Sequence, residues 1–529
     1  MRIILAIAFG FICFLGFGNQ FIPQENIDIL HYSFQIEISD ETDEIIGKAQ
    51  IQFKVLAPVN SFFIELHNSM KIEKCLFENK NQGFKQADEK VNFNFEKPLK
   101  NGIYLVEIQY HGIPKDGLII SKNKFDNRTF FGDNWPNRAH HYLPCIDHPS
   151  DKATVEFKII APAKYQVVAN GVLKETSNLK SGKMLTTYTS NQVLPTKVMV
   201  FAAAEFSVDR YLSINGNNIE TWVYPENKKE GFYDYALAAP IVDFFEEKLG
   251  EYPYDKLANV QSKTRYGGME NAGCIFYFEG SVTGKRDSEE LIAHEVAHQW
   301  FGNSASEKDW EHIWLSEGFA TYLTGLYLLE NKDFQAFGNY MEQAKQKVYA
   351  FYSKYPNKSV IPENIDDLNA LLNPLSYQKG AWVLHMLNHQ YYNGKIWELF
   401  KQYHEKYKYG NATTQDFFEL IEANDSIPIE HFKKQWLYSS TIPELEVQYN
   451  YNQKEKAITF QFKQLQKSKE PFVYTLDLAW LYPNSIGKTI KTVLIDEKTE
   501  KFTFQVTDFP GNIEVDPLGK LLVRFSAKD

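Results

Sequence analysis

The chain has few cysteines, no excess of positive charge and no long low-complexity tract. Four cysteines occur in 529 residues, and none has the CxxC spacing typical of zinc-binding or redox motifs. We expect Cys75, Cys145 and Cys274 to be buried and unreactive, with at most one disulfide among them. The net charge of −11 argues against a nucleic-acid-binding surface. We found no internal repeats, so a chain of this length is expected to form several folded domains.

An apolar segment begins the chain and ends before it is long enough for a typical membrane span. It covers residues 3–18, follows Arg2 and gives way to polar sequence at Asn19. A short positive start followed by a short apolar core predicts a signal peptide over residues 1–19. The protein is then expected to be secreted or periplasmic, without a transmembrane span after cleavage. The alternative is an uncleaved signal that anchors the protein to the membrane.

Two histidines four residues apart indicate a metal site. His294 and His298 fall one turn apart on one face of a predicted helix, so both imidazoles can reach the same ion. Glu295 lies between them and can act on a water at that ion without being a ligand itself. Hydrolytic zinc sites normally have three protein ligands and one open position. Glu317, separated from His298 by 18 residues, is the candidate third ligand for one Zn²⁺ per chain.

The local sequence predicts helices at both places. Asp287 begins a capping-box-like start, and Gly302 is the expected stop of the helix that carries the histidines. Asp309 is the predicted cap of a second helix, which carries Glu317 on its interior and continues through Leu329. Two antiparallel helices joined by a short loop would bring the three ligands together. The alternative is a chance histidine pair on an ordinary helix.

A glycine-rich segment upstream is a candidate substrate-binding edge. It reads Gly267-Gly268-Met269-Glu270-Asn271. Glycines suit an extended edge where backbone and substrate approach closely, and a peptide can add to such an edge as a further strand. An ionised Glu270 would pair with a free α-amine and thereby select chain ends. The alternative is a glycine-rich turn with a solvated glutamate.

The combination of these motifs resembles the gluzincin zinc aminopeptidase family that includes aminopeptidase N. A Gly-x-Met-Glu-Asn segment, His-Glu-x-x-His-x18-Glu and a downstream Tyr377-Gln-Lys-Gly380 carry the resemblance, which covers nearly the whole chain. The chain looks like a short form that lacks the helical C-terminal domain of many members. The resemblance therefore implies a comparatively open cleft.

The resemblance implies a role for each matching residue. His294, His298 and Glu317 would bind zinc, which lowers the pKa of a bound water towards about 7. Glu295 would be the general base and then carry the proton to the leaving amine. Tyr377 would donate a hydrogen bond to the developing oxyanion, worth about 10²–10³ in rate. The residues that would contact the peptide, with Glu270 holding its ammonium, are Gly267, Gly268, Met269, Glu270 and Asn271.

One position departs from the family pattern. Related enzymes commonly place a Gln or Glu of the N-terminal domain beside the amine-binding glutamate, and ungapped counting places Trp135 there. Either Asn134 or Asp133 substitutes for it, or the indole contacts the ammonium through a cation–π interaction. Tyr266 and Met269 are placed to line the first side-chain pocket, where apolar and basic residues are equally suited.

Patterns of strands and helices predict a multidomain protein. Alternating strands punctuated by Pro, Asn and Gly predict an N-terminal antiparallel β domain over residues 20–206. Residues 207–442 mix helices with strands and resemble a thermolysin-like α+β catalytic domain. Beyond this, period-2 strands over residues 443–529 predict a small C-terminal β-sandwich.

The leading hypothesis is a zinc aminopeptidase acting on peptides with a free N-terminus. Leukotriene-hydrolysing relatives use the same zinc constellation, so an epoxide hydrolase is one alternative. An endopeptidase would share the zinc chemistry without needing Glu270. A catalytically silent peptide-binding relative would typically have lost motif residues that are present here. The sequence makes no prediction of oligomeric state.

Overall fold

The computed structural model describes residues 24–180, 182–425, 429–482 and 487–527. The predicted signal peptide over residues 1–19 lies outside these ranges. Within them, none of the helices combines the length and the apolar character that a membrane crossing requires.

Strands make up the N-terminal third of the described chain. Many of them alternate buried and half-buried positions, as in Lys152–Pro162, because successive side chains point to opposite faces of a sheet. The strands are β1 (Ile27–Glu37), β2 (Ile45–Val55), β3 (Val59–Glu65), β4 (Met70–Phe77), β5 (Lys80–Asn81), β6 (Lys85–Ala87), β7 (Lys90–Leu99), β8 (Gly102–Gly112), β9 (Leu118–Lys122), β10 (Arg128–Gly132), β11 (Lys152–Pro162), β12 (Gln166–Ala169), β13 (Val172–Asn178), β14 (Lys183–Pro195) and β15 (Phe201–Ala204).

The N-terminal sheets are antiparallel with one exception. The largest has the order β13-β14-β11-β1-β2-β8-β4-β5, and smaller sheets have the orders β12-β15-β10-β9 and β3-β7-β6. The predicted β domain is confirmed, but strands β1 and β11 run parallel, with His31 opposite Thr154. A parallel pair needs a long crossover connection, which the strands between β1 and β11 provide.

The middle of the chain mixes helices with a further sheet, as predicted. The sheet has the order β16-β17-β18-β20-β19, and β21 pairs with β22. Its elements are β16 (Ser207–Leu212), β17 (Asn218–Val223), α1 (Lys228–Tyr235), α2 (Ala238–Leu249), β18 (Leu257–Ser262), β19 (Gly268–Met269), β20 (Cys274–Phe278), α3 (Glu289–Ala297), β21 (Ser306–Glu307), α4 (Trp314–Asn331), α5 (Phe334–Lys354), α6 (Gly380–Tyr391), α7 (Trp397–Tyr407), β22 (Asn411–Ala412), α8 (Thr414–Asp425) and α9 (Glu430–Lys433).

Strands return at the C-terminal end. They form two sheets, of orders β27-β24-β23-β29 and β26-β25-β28. The ring of Phe460 in one sheet stacks against Trp480 of the other, with centroids 6.4 Å apart. The strands are β23 (Glu444–Asn452), β24 (Ala457–Gln464), β25 (Tyr474–Leu481), β26 (Thr489–Ile495), β27 (Thr499–Gln505), β28 (Asn512–Val515) and β29 (Arg524–Ala527).

Buried contacts join the N-terminal strands to the catalytic part. Lys197 and Glu307 form an ion pair with both side chains fully buried. The Lys152 ammonium donates to the carbonyl oxygens of Asn303, Ser304 and Gly410, at 3.1, 2.9 and 2.6 Å. These bonds fix the N-terminal sheet against the loop that follows helix α3 and against the turn before strand β22.

The three cysteines of the described chain are buried and free, as expected. Burial raises the pKa of the Cys75 and Cys274 thiols to about 12. Neither thiol is therefore ionised near neutral pH, which fits a packing role.

Candidate active site

Helix α3 carries the first histidine, and the second follows it directly. His298 keeps helical dihedrals, φ −58° and ψ −23°, so it stays one turn beyond His294. The predicted stop at Gly302 is wrong: the helix ends at Ala297. The chain then turns back on itself, and Gly302 has φ +116° in a loop. A Cβ at Gly302 would lie 2.2 Å from the Ser316 hydroxyl oxygen, so only glycine fits this close approach.

The second helix begins later than predicted. Asp309 does act as a cap, but its carboxylate accepts a hydrogen bond from the Trp310 amide of a short 3₁₀ turn, at 2.7 Å. Helix α4 starts only at Trp314, which puts Glu317 in its first turn rather than in its interior. The start of α3 also differs, because the Ser288 hydroxyl donates to the Ser281 carbonyl instead of capping the helix.

His294, His298 and Glu317 come together as predicted. The two Nε2 atoms are 3.1 Å apart, and they lie 3.4 and 3.3 Å from Oε2 of Glu317. Zinc bonds of about 2.0–2.1 Å in a tetrahedron place ligand atoms about 3.3–3.4 Å apart, close to these distances. Oε2 of Glu317 is buried and accepts no hydrogen bond from a described residue. The three side chains therefore fit a zinc ion.

Hydrogen-bonding groups at Nδ1 orient the ring of His298. Its Nδ1 lies 3.1 Å from the Phe301 carbonyl oxygen, to which it can donate, and 3.1 Å from the Ser316 hydroxyl. A proton on Nδ1 leaves the lone pair of Nε2 free to face a metal. Burial alone would lower the pKa of His298, but the Glu317 carboxylate outweighs it and raises the metal-free pKa to about 9, so a metal ion that binds Nε2 displaces a proton from it. The same attraction holds the pKa of Glu317 well below its usual range despite burial.

The predicted general base lies against the substrate edge. Glu295 is 4% exposed, and burial, reinforced by the nearby Glu270 carboxylate, raises its pKa well above the usual value. A Cβ on Gly268 would lie 2.3 Å from Oε1 of Glu295. The absence of a side chain at position 268 thus makes room for the Glu295 carboxylate.

The glycine-rich segment is an extended edge, as predicted. Strand β19 is the last strand of its sheet and pairs on one side with β20. The Glu270 carbonyl oxygen accepts hydrogen bonds from the side-chain amides of Gln299 and Asn303, at 2.9 and 2.6 Å. The sequence motifs did not indicate these two amides as positioning groups, although Gln299 directly follows His298 and Asn303 lies five residues beyond it.

Glu270 itself is a buried carboxylate that forms no ion pair with a described lysine or arginine. It is 5% exposed, and its Oε1 has no hydrogen-bond partner among the described residues. Its carboxylate lies within 4.8 Å of ligand atoms of both Glu295 and His298. The site therefore presents a second acidic group next to the predicted metal ligands.

Tyr377 lies over the first histidine. It belongs to a π-helical turn, Leu375–Lys379, and its ring stacks on His294 with centroids 6.0 Å apart and an interplanar angle of 13°. Burial and the Glu317 carboxylate raise the pKa of its phenol well above the usual range, so the phenol stays a donor. A Cβ on Gly318 would lie 2.9 Å from Cα of Gly380, so this glycine pair lets the turn approach helix α4.

A cleft of about 270 Å³ opens between these groups. All predicted site residues line it except Asn271, which is fully buried outside the lining. Trp135 lines the cleft, whereas Asn134 donates to the Thr196 and Met199 carbonyls, at 3.1 and 2.6 Å. Asp133 is likewise engaged, with Arg138 and Thr264. Lining residues that the sequence did not indicate are Leu291 and Leu372.

Comparison with known proteins agrees with this arrangement. The family model "Peptidase M1 N-terminal domain" matches residues 29–198, and "Peptidase family M1 domain" matches residues 233–436. Glutamyl aminopeptidase of Sus scrofa is 24% identical over 472 residues, covering 82% of the chain and 49% of the relative. Aminopeptidase 2, mitochondrial, of Saccharomyces cerevisiae is 24% identical over 527 residues, covering 91% and 54%.

A third relative, the alanine/arginine aminopeptidase of Saccharomyces cerevisiae, is 26% identical over 554 residues, covering 96% of the chain and 62% of the relative. The chain thus spans about half the length of the curated relatives it matches. The predicted metal-binding, catalytic and peptide-contacting residues, from Gly267 to Tyr377, all fall within the second match. The chain belongs to peptidase family M1.

Proposed function

We propose that the protein is a zinc-dependent aminopeptidase that removes the N-terminal residue from peptides. The observation that carries this proposal is Glu270, a buried carboxylate whose Oε1 has no partner among the described residues. An unpaired buried charge is costly, so the position calls for a cation. The free α-ammonium of a peptide that adds along strand β19 would supply that cation.

Different side chains around the predicted zinc site bind the metal, transfer the proton and stabilise the developing negative charge. His294, His298 and Glu317 would hold the ion, which when bound supplies Lewis acidity to the scissile carbonyl and to a water molecule. Glu295 accepts a proton from the attacking water and returns it to the leaving nitrogen. The Tyr377 phenol donates a hydrogen bond to the carbonyl oxygen as negative charge develops there.

The experiment compares an aminoacyl chromophore with its N-acetylated counterpart. Acetylation removes the ammonium, and a hydrogen bond to a charged group is worth about 1.5–3 kcal/mol, or about 10–150-fold in kcat/KM. We expect kcat/KM for the N-acetylated substrate to be at least about 10-fold lower than for the free amine. Glu270→Gln should bring the two values of kcat/KM closer together. Equal cleavage of both substrates by the wild type would instead indicate an endopeptidase.

We further propose the domain types of the middle and C-terminal parts of the chain and an exported location. We propose that residues 207–442 form a thermolysin-like catalytic domain and that residues 443–529 form a β-sandwich. The apolar run over residues 3–18 supports export to the periplasm or the medium. N-terminal sequencing of exported protein should begin near Gln20. An intact Met1 in a membrane fraction would favour the uncleaved anchor.

A further inference from the structure

The cleft has an apolar side wall. Apart from the predicted metal ligands and catalytic groups, the side chains that line it are Trp135, Tyr266, Met269, Leu291 and Leu372. They come from separate elements: the N-terminal domain, the substrate edge, helix α3 and the turn before Tyr377. A side chain next to Glu270 would therefore contact carbon atoms contributed by several parts of the fold.

Part of this wall is rigid before any peptide binds. Trp135 and Met269 are each 2% exposed and belong to one buried cluster. The Trp135 ring packs edge-to-face against Tyr266 and Trp310, with centroids 6.4 and 6.2 Å away. A preformed apolar surface lowers the entropic cost of ordering a bound side chain.

No described lysine or arginine lines the cleft. The nearby guanidinium groups are paired elsewhere: Arg265 donates to Asp116 at 3.1 Å, and Arg138 pairs with Asp133. The charged groups that do line it are the carboxylates of Glu270, Glu295 and Glu317 together with the two histidines. An acidic substrate side chain would therefore find no lysine or arginine partner among the described residues that line the cleft.

We propose that the cleft selects peptides with an uncharged, apolar N-terminal side chain and rejects acidic ones, with Leu372 as a specificity-determining residue. The proposal rests on the aminopeptidase function. An acidic side chain would lose its water without gaining a lysine or arginine partner. A basic side chain would gain only aromatic faces, because Glu270 is engaged by the α-ammonium. Leu372 is half-buried at the rim, where a change of charge can act on the bound residue.

A panel of aminoacyl chromophores with Leu, Met, Ala, Arg, Lys, Glu and Asp tests the preference on the wild-type chain. We expect Leu and Met to have the highest kcat/KM, Arg and Lys about 10-fold lower, and Glu and Asp at least about 100-fold lower. Glu, Asp, Arg or Lys as the best substrate would overturn the proposal and leave the aminopeptidase function intact. Failure to release any amino acid would contradict the aminopeptidase function instead.

Leu372→Arg tests the specificity residue. A guanidinium at the rim should raise the ratio of Glu to Leu kcat/KM by at least about 10-fold, as expected for a charged hydrogen bond. Leu494→Arg is the matched control, because Leu494 is an exposed leucine of strand β26 in the C-terminal sheets. It should leave the ratio unchanged. A folded Leu372→Arg variant that keeps the wild-type ratio, or that cleaves no substrate, removes Leu372 from the proposal.

Discussion

Adding one methyl group at Gly268 should disable the base without removing it. The new Cβ would lie 2.3 Å from Oε1, 2.5 Å from Cδ and 2.6 Å from Cγ of Glu295. Since ordinary contacts begin near 3.4 Å, the carboxylate must withdraw by about 1 Å. A misplacement of about 1 Å at a reacting group can cost about 10²-fold in rate. We therefore expect Gly268→Ala to lower kcat about 100-fold.

The chain offers a matched control one residue away. A Cβ on Gly267 would meet only the two Leu291 methyl carbons, at 3.6 and 4.0 Å, which are ordinary contacts, and neither glycine has a positive φ. Gly267→Ala should keep kcat within about 3-fold of wild type, because the added methyl does not approach Glu295, and any effect on peptide binding will appear in KM. The assay is steady-state hydrolysis of a leucyl chromophore, with zinc content measured on the same samples. A Gly268→Ala variant that keeps half of the wild-type kcat would refute the reasoning. A Gly267→Ala variant whose kcat falls as far as that of Gly268→Ala would refute it as well.

Further variants test the oxyanion donor, a buried histidine and a domain contact. Tyr377→Phe should lower kcat about 10²–10³-fold with unchanged zinc content, and kcat near wild type would exclude its role as donor. The His140 imidazole lies 2.8 Å from Asp147, which outweighs burial and raises the pKa of His140 to about 9. The protonated His140 therefore stabilises the fold fully below pH 6.5, and this contribution is lost as the pH rises through about 9. The free energy of unfolding of the wild type should exceed that of His140→Gln at pH 6, and this difference should shrink by about 3 kcal/mol by pH 10 in urea titrations. A pH-independent difference would contradict this. Lys152→Met removes the three hydrogen bonds of the ammonium, each worth about 1 kcal/mol, and should lower the free energy of unfolding by about 3 kcal/mol in urea titrations. An unchanged free energy of unfolding would show that these bonds add nothing.

Local sequence signals were sufficient for the ligands of the candidate site. The i, i+4 spacing of His294 and His298 depends only on helix geometry, and His298 retains that geometry although helix α3 ends at Ala297. The glycines before Glu270 likewise indicate an edge strand, because residues without a side chain allow another backbone to approach closely. These features could be predicted because each depends on a few consecutive residues.

Tertiary contacts decided what the sequence could not predict. Helix α3 stops early because the following loop folds back against Ser316 of helix α4. Leu372 reaches the cleft from a turn more than 70 residues beyond the histidines, with no local signal for it. Asn271 shows the opposite case, since it belongs to the motif but is buried outside the cleft. Spacing along the chain gives no information about such placements.

The position of the metal distinguishes two possible sets of ligands. His298 can share an ion with His294 and Glu317, or with Glu270 and Glu295. Anomalous diffraction at the zinc absorption edge, from crystals of the full chain grown with zinc, locates the ion directly. We predict a peak about 2.0–2.2 Å from Nε2 of both histidines and from the Glu317 carboxylate. A peak bonded to Glu270 and Glu295 would contradict the central claim, because the amine anchor and the general base would then be ligands.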